Sequence, residues 1–285
     1  MNKKSIILCI FYAWMSILCY GQTGRLFTAD QELSSSMINS IYQDHNGIIW
    51  IATEDGLNKY DGAKFSIYKS DKNDEHSLAN NYVRCVFESS KKECFVGTLS
   101  GLQHYSADAD RFTDIPLILQ DGIIVEPNVA AIEELSNGDL LVGTAGQGLF
   151  KITNTHKGLV GISMEKRIPI PIVNALHEDR NGNLWISAGE NGIFRIDRNQ
   201  QLHCYQKGAN ESEYTISSIC ETPDKQIYIG SLGKGLLKYN PTLDLFEPII
   251  YANHPELPVK SLLLATPDEI YIGTDGYGLK VYNIQ

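Results

Sequence analysis

Ile38-Asn-Ser-Ile-Tyr-Gln-Asp-His-Asn-Gly-Ile-Ile-Trp-Ile-Ala-Thr-Glu-Asp-Gly-Leu-Asn-Lys-Tyr60 returns, little altered, as Val173-Asn-Ala-Leu-His-Glu-Asp-Arg-Asn-Gly-Asn-Leu-Trp-Ile-Ser-Ala-Gly-Glu-Asn-Gly-Ile-Phe-Arg-Ile196. With Trp50 as anchor, the same place in the pattern falls at Phe95, Leu141, Trp185, Tyr228 and Tyr271, at spacings of 43–46 residues. Six units at so regular a period describe small structural modules that bury their apolar faces against one another, not a single wound domain.

Each unit divides into four short strands. In the first unit Ile38 to Gln43 is one strand, and Asp44-His-Asn-Gly47 is a tight turn whose Asn-Gly pair offers left-handed backbone. Ile48 to Thr53 is a second strand, apolar throughout, as expected of a strand covered on both faces. Gly56 to Tyr60 is a third strand. Lys64 to Tyr68 is a fourth, in the part of the unit that varies most. A small pair precedes the third strand in every unit, from Ala52-Thr53 and Gly97-Thr98 to Gly273-Thr274. It suits sheets that approach closely near an axis. The glycine that opens the third strand (Gly56, Gly101, Gly148, Gly192, Gly235 and Gly278) suits a positive φ. Four strands per unit with no helical periodicity give an all-β fold, a β-propeller of four-stranded blades in six repeats, or six repeats of a seven-bladed ring. Gly24 to Thr28 is expected to supply the missing fourth strand of the last blade and so close the ring.

The N-terminus has a different composition. Two lysines lead into an apolar run from Ser5 to Leu18, then Cys19-Tyr20-Gly21. This reads as a secretory signal peptide over residues 1–21, ahead of a sensor-like propeller over 22–285. The expected location is the periplasm, with no membrane span in the mature chain. The 285 residues are 43% hydrophobic, enough for a sizeable core, and their net charge of −10 argues against nucleic acid as a partner. Cys85, Cys94, Cys204 and Cys220 remain after the signal and show no metal-ligand spacing. They read as small apolar residues, with Cys94 expected opposite Phe87 across its hairpin.

Chemistry-bearing patterns are sparse. Asp44-His-Asn-Gly47 and Asp179-Arg-Asn-Gly182 offer too few oxygens for calcium, which takes 6–8, and read as hairpin turns. The histidines are scattered, no nucleophile elbow or phosphate loop appears, and the neighbouring Glu133 and Glu134 point to opposite faces of a strand. Neither a metal, a cofactor nor a catalytic residue is expected. Trp50 and Trp185 lie within apolar runs and read as core. A binding surface is the better expectation. The residue after the first apolar position of each unit lies near the channel mouth, which selects Asn39, Arg84, Asn174 and Lys260. The turns between second and third strands add Glu190, Asn191 and Tyr277. These groups suit sugar hydroxyls, and Arg84 and Lys260 suit a uronate carboxylate. The long connections Ser70–Asn81, Thr113–Pro127 and 153–171 are expected to surround them.

The Asp-x-Asn-Gly, Trp-Ile-x-Thr and Gly-Leu combination, clearest over Ile38–Asp61 and Val173–Asp197, resembles the two-component regulator propeller repeat of Bacteroides-type hybrid two-component histidine kinases. The resemblance covers the whole mature chain, strongly in the first and fourth units and more loosely elsewhere. It implies a periplasmic sensor that recognises glycan-derived oligosaccharides, with a second propeller or a homodimer as further partner. Family members carry two seven-bladed propellers, a β-sandwich, a membrane helix and a kinase. These 285 residues show six units and no kinase motif, so the chain itself is expected not to be an enzyme. The rival readings are a propeller lyase or hydrolase acting on glycans, and a protein-interaction scaffold.

Overall fold

The computed structural model describes residues 26–29, 32–205, 215–250 and 257–284. Residues 1–21, read as a signal peptide, lie outside them. The described residues form six antiparallel blades arranged in a ring. Blade 1 is Ile38–Gln43, Ile49–Thr53, Gly56–Tyr60 and Phe65–Tyr68. Blade 2 is Val83–Glu88, Cys94–Thr98, Gly101–Ser106 and Arg111–Ile115. Blade 3 is Val129–Glu134, Leu140–Thr144, Gly148–Thr155 and Gly158–Ser163. Blade 4 is Ala175–Glu178, Leu184–Ser187, Ile193–Ile196 and Leu202–Tyr205. Blade 5 is Ile216–Glu221, Ile227–Ser231, Gly235–Asn240 and Leu245–Ile249. Blade 6 has three strands, Val259–Thr266, Glu269–Thr274 and Leu279–Asn283.

The first strand of each blade is innermost. Five apolar clusters, one per junction from blades 1 and 2 to blades 5 and 6, make up the core. The small residues of the second strands set how closely the blades approach. A Cβ on Gly97 would lie 2.6 Å from Val129 Cγ1, one on Gly143 2.4 Å from Val173 Cγ1, and one on Gly230 2.4 Å from Val259 Cγ1. In each case the next blade's valine fills the space a side chain would take. All six glycines opening the third strands have positive φ.

The hairpin after the inner strand of blades 1 to 5 is a turn closed by a left-handed residue. In blade 1 the Gly47 N–H donates to Asp44 O at 2.9 Å, and Gly47 alone is left-handed, at φ 82°, rather than the Asn-Gly pair together. Lys92 and Lys225 take the same conformation in blades 2 and 5. The aspartate organises the turn. Asp179 Oδ1 accepts from the N–H groups of Asn181 and Asn183 at 2.9 and 2.8 Å, and Oδ2 accepts from Trp185 Nε1 at 2.8 Å. Asp44 repeats the pattern with Asn46, Ile48 and Trp50 Nε1. Its carboxylate oxygens are thus committed to the turn and the indole. Trp50 and Trp185 are buried, as expected of core residues.

Two expectations about connectivity are corrected. The segment 153–171 is not one long connection: it contains the end of one strand and all of Gly158–Ser163, so the loop proper starts after Ser163. Its alternating pattern is interrupted by Gly158 and Gly161, and Gly161 lies against Leu117. The connection 113–127 is also structured: Leu117–Ile118 pairs in parallel with Gly158–Ser163, and Ile124–Val125 pairs with Leu117–Ile118. Part of the closing strand expected over Gly24–Thr28 lies outside the described residues; Phe27 packs on blade 1, with ring centroids 5.2 Å from Tyr60 and 5.1 Å from Phe65. The four cysteines are free thiols. Cys94 pairs opposite Glu88, one position from the expected Phe87, because the turn holds five residues rather than four.

Two substitutions test this packing. Gly143→Ala drives a methyl into Val173 and is expected to cost about 1–3 kcal/mol in denaturant unfolding. Asp179→Ala orphans the buried Trp185 N–H and two turn amides and is expected to cost about 2–4 kcal/mol. Chelator leaves the wild-type Tm unchanged.

Candidate ligand-binding face

The turns between second and third strands and the connections from one blade to the next emerge at the same end of the blades as the start of each inner strand. The expected site residues all lie there, in three local groupings. In blade 1 Asn39 donates from Nδ2 to Val83 O at 2.7 Å, which places it beside Arg84 of blade 2. Arg84 is half-buried and makes no hydrogen bond or ion pair among the described residues, which leaves its guanidinium available for an anion. Asn39, by contrast, holds the neighbouring inner strand. Ser217 does the same between blades 5 and 6, its Oγ donating to Val259 O at 2.6 Å.

In blade 4 Asn174 lies against the 3-10 turn Gly189–Asn191, since a Cβ on Gly189 would be 3.1 Å from its Nδ2. Glu190 belongs to that turn and is placed by its backbone alone. The exposed Asn191 donates its N–H to Ala188 O at 3.1 Å. In blade 6 Lys260 Nζ is 3.3 Å from Asp275 Oδ1, both side chains exposed, and Tyr277 in the same turn is exposed.

Two further features lie at this end. Glu54 and Asp55 anchor a polar knot: Tyr82 Oη donates to Glu54 Oε1 at 3.2 Å, while Lys69 Nζ and Asn81 Nδ2 donate to Asp55 at 2.6 and 3.1 Å. A cleft of about 370 Å³ opens on blade 3 between the turn Gly146–Gly148 and the segment Glu165–Pro171, with Leu119 forming part of its wall. Its walls derive from an inserted strand pair and a Pro-rich connection that fall outside the repeat, so no periodic signal marks them.

The opposite end holds two groups whose titration burial displaces, Glu133 and His177. Each inner strand from blade 2 to blade 5 ends in a glutamate that grips the turn of the blade before it. Glu88 accepts from His45 N–H at 2.8 Å, Glu134 from Ser90 N–H at 2.6 Å, and Glu221 from Arg180 N–H at 3.0 Å. Glu178 likewise accepts from Ser136 N–H. A column of Glu88, Glu134, Glu178 and Glu221 is visible once the repeats are aligned, and this signal was available in the sequence. Between these clasps runs a buried chain. Glu133 Oε1 lies 3.7 Å from His177 Nδ1, and His177 Nε2 lies 3.6 Å from Glu221 Oε2. Burial pushes the Glu133 carboxyl up to about 7 and holds His177 below the ordinary histidine range. Both shifts follow from desolvation, which opposes charge on either group. Among the described residues no group of three or more His, Cys, Asp or Glu is arranged to hold a metal ion. No helix among them is long and apolar enough to cross a membrane.

Comparison with known proteins fits this architecture. The family model described as two component regulator propeller matches residues 32–55 and 168–190. A histidine kinase of Formosa agariphila is 32% identical over 83 residues, 28% of this chain and 6% of that protein. Among solved structures, the extracellular domain of a hybrid two component system from B. thetaiotaomicron superposes with a TM-score of 0.76 at 22% identity, over 92% of this chain and 35% of that one. Virginiamycin B lyase from Staphylococcus aureus superposes with a TM-score of 0.57 at 15% identity, over 91% of this chain and 87% of the lyase. The chain thus spans about a third of the length of the sensor domain it matches.

Glu133→Gln tests the buried chain. A carboxyl whose folded pKa exceeds its unfolded value costs stability progressively as pH rises from about 4.5, and the cost is complete above about 7. Removing it is expected to stabilise the protein at pH 8 relative to wild type by about 1–2 kcal/mol, with the gain shrinking as pH falls and gone below about pH 4. Thermal melts across that range read the difference.

Proposed function

From a chain built of two-component regulator propeller repeats, we infer a non-catalytic recognition propeller, working in the periplasm as the ligand-reading part of a two-component sensor system. Its ligand is an oligosaccharide released from a glycan, and its signalling partner is a membrane-bound kinase. A second propeller or a second copy is the further partner. The observation that carries the reading is the polar end of the ring: Arg84 without a protein partner, Lys260 and Tyr277 exposed, and the 370 Å³ cleft on blade 3 at the same end. Hydroxyl-rich ligands are held by such convergent donors beside apolar surface. Arg84 and Lys260 suit a ligand with carboxylate or sulfate groups.

The opposite end supports no competing reading. Glu133 and Glu221 accept from the backbone amides of Glu178 and Arg180, and His177 lies between the two carboxylates at 3.7 and 3.6 Å. The likeness to a lyase is a likeness of fold.

Thermal-shift screening of the purified chain against neutral and uronate-containing oligosaccharides tests the reading, with each stabilising ligand recovered and checked for chemical change. An acidic oligosaccharide is expected to raise Tm and to be recovered intact. The double variant Arg84→Ala/Lys260→Ala is expected to weaken its binding about tenfold or more while its own Tm stays at the wild-type value. Unchanged affinity removes the two residues from the site, and a consumed ligand overturns the non-catalytic reading.

A further inference from the structure

One position of the inner strand, two residues before the hairpin, is held by Tyr42, Phe87, Glu133, His177, Cys220 and Leu263 in blades 1 to 6. Register places them opposite Trp50, Phe95, Leu141, Trp185, Tyr228 and Tyr271 of the second strands. The side chain at this position reaches toward the following blade: the Tyr42 ring lies 6.3 Å from that of Phe87, and its Oη donates to Glu88 O. Tyr42 and Phe87 pack against apolar clusters, and Cys220 is buried. Blades 3 and 4 break this pattern with a carboxyl and an imidazole in succession. Desolvation makes a charge on either group unfavourable there.

The two groups meet, and the number of protons they need can be counted. His177 Nδ1 lies 3.7 Å from Glu133 Oε1 of blade 3, and Nε2 lies 3.6 Å from Glu221 Oε2 of blade 5. Nε2 is enclosed and makes no hydrogen bond among the described residues. A neutral imidazole has one N–H and one bare nitrogen, while an ionised carboxylate only accepts. With both carboxylates ionised, one of them faces a lone pair. The arrangement therefore needs one proton more than a neutral imidazole brings. Glu221 does not hold it, because the Arg180 N–H at 3.0 Å and the Arg180 Nε at 3.8 Å both favour its charge. Nε2–H then points to Glu221, and the extra proton belongs between Nδ1 and Glu133. Burial places it on the carboxyl, pushing Glu133 up to about 7 while holding His177 below the ordinary histidine range. The other charged groups around the cluster have partners of their own. Glu134 and Glu178 accept from Ser90 and Ser136, Asp179 from Trp185, Asp224 from Thr222, and Lys225 donates to Asn181. The charges of Glu178 and Asp179 favour keeping the proton, and that of Arg180 opposes it.

We propose that Glu133, His177 and Glu221 form a proton-operated clasp across blades 3, 4 and 5. With one proton held between Glu133 and His177, the imidazole ties blade 4 to both neighbours. When that proton leaves, the Nδ1 lone pair faces a carboxylate, the tie to blade 3 is lost, and the tie to blade 5 remains. The proton passes to water, which both side chains reach, Glu133 being 24% and His177 25% exposed. Because the folded carboxyl titrates above its unfolded value, the stability associated with the held proton falls as pH rises and is fully lost above about pH 7. The clasp lies at the end opposite the candidate ligand-binding face and does not depend on the ligand proposed there. It makes the cohesion of three blades follow the pH around the protein.

Nitrogen NMR of the histidine side chains in the purified chain, with the His177 signals assigned by their loss in His177→Phe, tests the clasp. At pH 6.5 His177 is expected to be neutral with its proton on Nε2. As pH is raised through about 7, the Nδ1 resonance is expected to move although the imidazole stays neutral, because the donor on Glu133 disappears. In Glu133→Gln, whose amide donates at every pH, that step is expected to be absent. A doubly protonated His177 at pH 6.5, or an Nδ1 resonance that stays fixed between pH 6 and 8, overturns the proposal, and both are read on the unaltered chain. Thermal melts give a second measure. Glu133→Leu and His177→Phe introduce the residue types that blades 6 and 2 carry at this position. At pH 6 the Tm of the double variant is expected to lie roughly 3 °C or more above the value obtained by adding the two single effects. At pH 8.5 that difference is expected to vanish. Additive effects at both pH values mean that the two groups do not act together, and the clasp is then wrong.

Discussion

The contact on which this architecture depends is a valine against a glycine that has no side chain. Sheets packed face to face ordinarily stand about 10 Å apart. Blades that radiate from an axis must come closer at their inner edges than at their rims. Gly97, Gly143 and Gly230 allow that, and Val129, Val173 and Val259 fill the space vacated. Farther out, the junctions of blades 1 and 2 and of blades 4 and 5 widen to admit Trp50 against Tyr105 and Trp185 against Tyr239, with centroids 5.0 and 4.9 Å apart. Small residues inside and aromatic ones outside make each blade a wedge, and wedges stacked in sequence turn around an axis.

Polar groups follow the same radial logic. The Trp50 and Trp185 indoles are buried, and each reaches the aspartate of its own hairpin, so a large apolar side chain enters the core without orphaning its N–H. At the rims, Lys59 and Arg195 lie over the tryptophans at 5.4 Å from the ring centroids and bind Tyr105 and Tyr239 of the next blade. Asp110 and Asp244 complete these knots by accepting from two tyrosines each. At the turn end, Glu88, Glu134, Glu178 and Glu221 stitch one blade to the next. Charged and polar side chains that would suggest a site in isolation are in these places structural. What they leave uncommitted lies at the other end, where the repeat is interrupted.

Function follows from that division. A repeat that spends its regular positions on cohesion leaves recognition to the irregular ones, and these are loops and insertions on one end of a rigid body. The turn bearing Tyr277 and the cleft on blade 3 belong to this class; Arg84, at a regular inner-strand position, is left unengaged among the described residues.

The repeat itself was legible in the linear sequence. A period near 44 residues, the Asp-x-Asn-Gly turn, the small pair and the third-strand glycine determined the blade, its strand order and the burial of Trp50 and Trp185, because each rests on local backbone geometry or on alternation along one strand. The column of glutamates before the turns was readable by the same means. The sequence could not place what departs from the period. The strands at Leu117–Ile118 and Gly158–Ser163 were hidden in segments that read as loops, because their parallel pairing joins parts distant in the chain. That Asn39 grips Val83 while Arg84 beside it stays unengaged was decided by how neighbouring blades meet. Local pattern fixes what a blade is; the distances between blades, which no single unit encodes, decide which of its residues remain free to act.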